Sequence, residues 1–182
     1  GITEYFEEVE LTEEYDGYFC SVADVITIAI LGSICGLKNI NQIHQWAASD
    51  RVSEFLKEKF GINHVPCYYW ILCLLNLIKP ESLNRCFANW IYSFMPERSA
   101  NMTISLDGKT ICSTIKMEKI ESPLHIISAQ VCELGLTLAQ RCTDDKSNEI
   151  PAVQELLKEL NIKGHIVVAD ALNCQKETAE II

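Results

Sequence analysis

Two aspartates stand where a sheet protein could do chemistry. Asp107 lies in TISLDGKTICS, residues 103–113, and Asp170 closes the apolar run HIVVAD, residues 165–170. Each has an ordinary explanation. An Asp-Gly pair between apolar runs is a strong hairpin signal, because both central positions of a type I′ turn need positive φ. An Asp just past a strand caps the helix that follows. The functional alternative requires the two carboxylates to meet. Side by side they repel each other unless a cation neutralises them, and hard oxygen ligands with room for water suit Mg²⁺ or Mn²⁺. Such a site activates water or a hydroxyl for in-line attack on a phosphodiester and stabilises the leaving oxygen. Residue types and spacing leave both explanations open. His64-x-x-Cys67 is a weak zinc candidate, since the chain contains no CxxC pair.

The elements that must position these residues fall into two groups. The first half reads as helices: Ser21–Cys35 with Ser21 as N-cap and Gly36 just past the end, Ile40–Ala48, Asp50–Phe60 stopped by Gly61, Pro66–Ile78, and Pro80–Phe94 ended by Pro96. From Met102 the period becomes two. Strands are predicted over Met102–Ser113, Leu124–Cys132 and Leu136–Cys142, followed by a polar loop and a helix opening at Pro151. The run HIVVADA reads as a strand buried on both faces, and a further helix starts near Asn173. A meander followed by a crossover helix returns the fourth strand parallel to the sheet. If that strand pairs with the first, Asp107 and Asp170 become neighbours at one end of an open sheet, where ligands gather. The expected fold class is α+β: a helical N-terminal bundle over residues 1–98, then a mixed β-β-β-α-β sheet over 99–182.

Composition narrows the function classes. Apolar residues make up 48% of the 182 residues, enough for a real core. No apolar run approaches the roughly 18 residues of a membrane span, so no membrane partner is expected. Nine scattered cysteines, an odd number, suit free thiols in a reducing cytoplasm better than a disulfide framework. The formal charge is −10, yet residues 1–16 hold seven acids and no Lys or Arg, leaving −3 for the remaining 166 residues. The near-neutral bulk neither supports nor excludes DNA. The acidic tip reads as a solvated face.

The strings ISLDGKT, LHIISA, LAQRCTDDKSNEIPAVQELL and VVADALNCQ together resemble the insertion-sequence DDE transposases related to the H-repeat-associated proteins. In the front half, ILGSICGLKNINQIHQWA and LIKPESLNRCFANWI resemble that group's helical transposase-associated domain. The resemblance implies a ribonuclease H-like second unit with Asp107 and Asp170 as the first two carboxylates of a DDE triad. It implies Mg²⁺ or Mn²⁺ as cofactor, and cleavage and strand transfer at transposon-end DNA as the reaction. Lys109, Lys146 and Asn148, with Ser147 and Glu149, fall on motif positions and are expected to touch DNA or shape the site. The family's third acid lies well downstream of Asp170, so the sheet is expected to be truncated and turnover is not expected of this chain alone. The uncovered sheet edge near Val167–Leu172 predicts homo-oligomers. Where relatives carry basic residues this chain has Ile111, Cys112 and Cys73. A non-catalytic relic, acting as a DNA- or protein-binding or dimerisation module, is therefore the competing function.

Overall fold

A computed structural model of the chain describes residues 1–13, 20–94, 101–111, 124–143 and 148–182. It divides into two compact units, Gly1–Trp90 and Ile91–Ile182. The sequence-based boundary at residues 98/99 lies outside the described residues, as do Lys146, Ser147, Cys112, Glu14 and Asp16. The arrangement is α+β, with helices first and a four-stranded mixed sheet after them.

The front unit is built around α1 (Val22–Ile34). This helix is apolar nearly all round, and it meets the 3-10 turn Ile2–Phe6, α2 (Ile40–Ala47) and α4 (Tyr68–Leu77). Ser21 starts it with a capping box: Ser21 Oγ accepts the Asp24 N–H at 3.0 Å, and Asp24 Oδ2 accepts the Ser21 N–H at 3.0 Å. Two of the orphan donors of the first turn are thereby satisfied. Ser21→Ala is expected to cost about 1 kcal/mol of unfolding free energy, measured by chemical denaturation. The helix α3 (Asp50–Phe60) ends where Gly61 takes a left-handed φ of 71°. Phe6 is fully buried and touches Phe87 and Trp90 of α5 (Pro80–Tyr92), with ring centroids 6.3 and 6.1 Å apart.

The acidic N-terminal segment is more than a solvated face. Its backbone bridges to the end of α4, with Leu11 opposite Ile78 and the Lys79 N–H donating to Glu10 O at 2.9 Å. The Glu10 carboxylate receives Lys79 Nζ at 3.0 Å and Arg85 Nη2 at 3.3 Å. The bond from Lys79, then that from Arg85, hold it below the usual carboxylate range.

The second unit carries β1 (Thr103–Ile111), β2 (Leu124–Val131), β3 (Leu136–Thr143), α6 (Glu149–Glu159), β4 (Ile166–Val168) and α7 (Lys176–Ile181). The sheet order is β3-β2-β1-β4, antiparallel between the first three strands and parallel between β1 and β4. Alternation sorts its side chains onto two faces. Ile104, Leu106, Ile127, Ala129, Val131 and Leu138 are buried, as are Val153, Leu156 and Leu157 of α6. Arg141 of β3 pairs with Glu155 and Glu159 of α6, each at 2.7 Å.

Three expectations change here. α6 begins at Glu149 rather than Pro151, because a proline in the first turn needs no acceptor for its missing N–H. β4 is a three-residue edge strand, not one buried on both faces: Ile166 and Val168 are 54% and 49% exposed. Their faces turn away from the core, and a 3-10 turn at Ala171–Asn173 ends the run. The helix expected from Asn173 accordingly starts later, at Lys176.

Candidate functional site

Asp107 and Gly108 lie inside β1, paired with Ser128 and Ile127 of β2, so the Asp-Gly pair makes no hairpin turn. Asp107 is exposed. It shares a face with Ser105 and Lys109, opposite to the one that buries Ile104 and Leu106. Across the sheet, Ser128 sits between Asp107 and Gln140, and its Oγ accepts Gln140 Nε2 at 3.1 Å.

The parallel register runs Thr103↔Ile166, Ile104↔Val167 and Ser105↔Val168. The ladder ends there, and Asp107 and Asp170 each lie two residues beyond its last pair, Ser105↔Val168. The chain is still extended at Asp170, with φ −58° and ψ 151°, and Asp170 continues the parity of the exposed Ile166 and Val168. Asp170 also does the ordinary job foreseen for it. Its Oδ1 accepts the Leu172 N–H at 3.4 Å and caps the 3-10 turn. Capping through one oxygen leaves the other to a ligand.

Carboxylate oxygens are donors of the type a hard divalent cation takes. Two exposed carboxylates at the end of a strand pair suit Mg²⁺, which keeps several waters and takes one or two carboxylates plus substrate phosphates. Among the described residues no group of three or more His, Cys, Asp and Glu side chains gathers into a fuller metal cage. His64 and Cys67 accordingly belong to no such cluster. Glu177 and Glu180 are exposed on α7, with Glu180 3.8 Å from Lys176.

Lys109 lies two residues along from Asp107 on the same face and is exposed. Asn148 is exposed at the N-cap of α6, and its side chain makes no capping bond. Glu149, expected in a loop, is instead a buried first-turn residue of α6. It meets His125 and Asn173, which sequence reasoning did not single out. A signal for His125 was available: it occupies an inward position of β2 in phase with Ile127, Ala129 and Val131.

Comparisons with known proteins show what each half resembles. Residues 3–91 match the family described as DDE_Tnp_1-associated. The front unit is similar to this DDE_Tnp_1-associated domain over nearly all of its length. Over most of its length the chain is also similar to the "H repeat-associated putative transposase" proteins YhhI and YbfD of Escherichia coli (strain K12). They are 32% and 31% identical to it over 162 residues, 88% of this chain and 42% and 63% of theirs. An uncharacterised protein in the dhlA 3′ region of Xanthobacter autotrophicus is 29% identical over 170 residues, 89% of this chain and 54% of its own. The chain thus spans 42% to 63% of the length of these relatives. No solved structure matches it significantly. Among the described residues no helix is long and apolar enough to cross a membrane.

Proposed function

We propose that the chain is part of an insertion-sequence DDE transposase. In this reading its second unit is the ribonuclease H-like catalytic sheet, and Asp107 and Asp170 are two of the three metal-binding carboxylates. What supports the reading is the parallel β1–β4 ladder: Asp107 and Asp170 are both exposed and each lies two residues past its last pair. The similarity to the H repeat-associated proteins supplies the reaction class.

When bound, Mg²⁺ or Mn²⁺ supplies Lewis acidity to the scissile phosphate and a more acidic attacking water. The chain's own residues hold and orient. Asp107 on β1 and Asp170 just past β4 present hard oxygens, and Ser128 and Gln140 extend the polar row from Asp107 across the sheet. Lys109 offers a counter-charge to a DNA phosphate beside them. Asn148 offers a neutral contact at the start of α6, and Lys146 joins them by its place in the sequence. Self-association along the exposed edge of β4 belongs to the same proposal.

The test uses the protein extended to the length of its relatives, with transposon-end DNA and Mg²⁺. Strand cleavage is expected, and Asp107→Asn and Asp170→Asn each reduce it to background. DNA retention without cleavage, unaltered by either substitution, would assign a non-catalytic binding module instead.

A further inference from the structure

We propose that Glu149 is a positioning residue whose buried carboxyl clasps, from the core side of the sheet, the two segments that carry Asp107 and Asp170. The inference rests on the reading of those aspartates as the site. The β1–β4 ladder ends at Ser105↔Val168, two residues short of both aspartates. Past that point another interaction has to keep the Asp170 segment beside β1.

Glu149 reaches both. Asn173, three residues after Asp170, donates from Nδ2 to Glu149 Oε1 at 2.9 Å. Glu149 Oε2 lies 3.3 Å from His125 Nε2, an ion-pair distance without hydrogen-bond direction. His125 Nδ1 in turn meets Thr110 Oγ1 of β1 at 3.0 Å. Between them passes Gly108, the residue after Asp107. A Cβ there would lie 2.9 Å from His125 Nε2 and 3.1 Å from Glu149 Oε1. The carboxyl therefore occupies the space that a side chain next to one aspartate would need, and it bonds the turn that follows the other.

Stability alone does not call for this arrangement. Glu149, His125 and Asn173 are 7%, 3% and 3% exposed, beside a core of Leu, Ile and Val. Burying such groups carries a desolvation cost that an apolar side chain of similar volume avoids. The N-terminus of α6 offsets part of that cost, since a first-turn carboxylate meets the positive end of the helix dipole. A carboxyl with two oxygens aimed at separate segments supplies direction, which an apolar residue cannot.

The experiment compares the full chain with its Glu149→Gln and Asn173→Ala variants below their melting temperatures. Two readouts are taken: cross-strand nuclear Overhauser contacts between residues 107 and 170 without metal, and Mn²⁺ affinity by electron paramagnetic resonance. Ile162→Val, a small core truncation away from the clasp, serves as the destabilised control. The clasp variants are expected to lose the 107–170 contacts and to bind Mn²⁺ about tenfold more weakly. The control is expected to keep both. Contacts and affinity preserved in Glu149→Gln and Asn173→Ala would overturn the positioning role, and so would an equal loss in Ile162→Val. Loss of the contacts in a protein whose parent does not bind Mn²⁺ would uphold the clasp and remove the metal reading alone.

Discussion

Asp107→Asn is expected to weaken Mn²⁺ binding by at least about tenfold while leaving the metal-free melting temperature unchanged or raised. The two halves of that result have one cause. Asp107 sits mid-strand, where aspartate is a poor former of β structure, and in the proposed site it shares a cation with Asp170, just past β4. Two carboxylates that share a cation repel in its absence, and at about 4 Å unit charges in water interact by about 1 kcal/mol. Replacing one with an amide of the same shape relieves the repulsion and deletes a cation ligand. A residue retained for the fold would behave in the opposite sense, losing stability and leaving metal binding alone. Asp170→Asn should match it in metal affinity. It should also keep the cap on the Leu172 N–H, since asparagine accepts the same bond. Isothermal titration with Mn²⁺ and thermal denaturation without it measure the two halves.

Gly108→Ala is expected to lower the melting temperature by about 10 °C. In most strands alanine is the better residue, because glycine surrenders more chain entropy on folding. Here space decides. The new methyl would stand 2.9 Å from His125 Nε2 and 3.1 and 3.2 Å from Glu149 Oε1 and Cδ, all below van der Waals contact. Neither neighbour has solvent to retreat into: both are buried, His125 against Thr110 and Glu149 against Asn173. Overpacking of this kind costs about 1–3 kcal/mol, and each kcal/mol moves the midpoint of a domain this size by about 4–8 °C. Thermal denaturation of the two proteins side by side gives the answer. A neutral or raised midpoint would mean that the His125–Glu149 pair yields freely and that Gly108 is there for some other reason.

The same glycine shows where a sequence stops being legible. Elements whose signals are local could be read directly: α3 with Gly61 at its end, the Ser21 cap of α1, and the alternation in β2 that separates Ile127 and Ala129 from Ile126 and Ser128. Asp107-Gly108 misleads because its turn chemistry is also local, while the reason for the glycine is not. His125 and Glu149 come from 17 and 41 residues further along the chain, and only the folded sheet brings them against Gly108. The parallel return of β4 to the sheet was legible as topology, since a meander and a crossover helix return a strand in parallel. That it pairs with β1, with Val168 opposite Ser105, was left open by the sequence. β4 was misjudged because an apolar run cannot reveal that it lies at a sheet edge with one side open. Glu149 was placed near the site but in a loop, because its neighbour Pro151 resembles a helix start and Glu149 stands before it.

The claim that Asp107 and Asp170 form one cation site is tested most directly by paramagnetic broadening. Mn²⁺ is added in small amounts to ¹⁵N-labelled protein, and the amide signals that vanish first are assigned. Loss confined to the neighbourhood of residues 105–108 and 168–171, abolished in the Asp107→Asn and Asp170→Asn variants, is the predicted result. Broadening centred on the acidic segment 1–13, or persisting around residue 107 in both variants, would contradict the account.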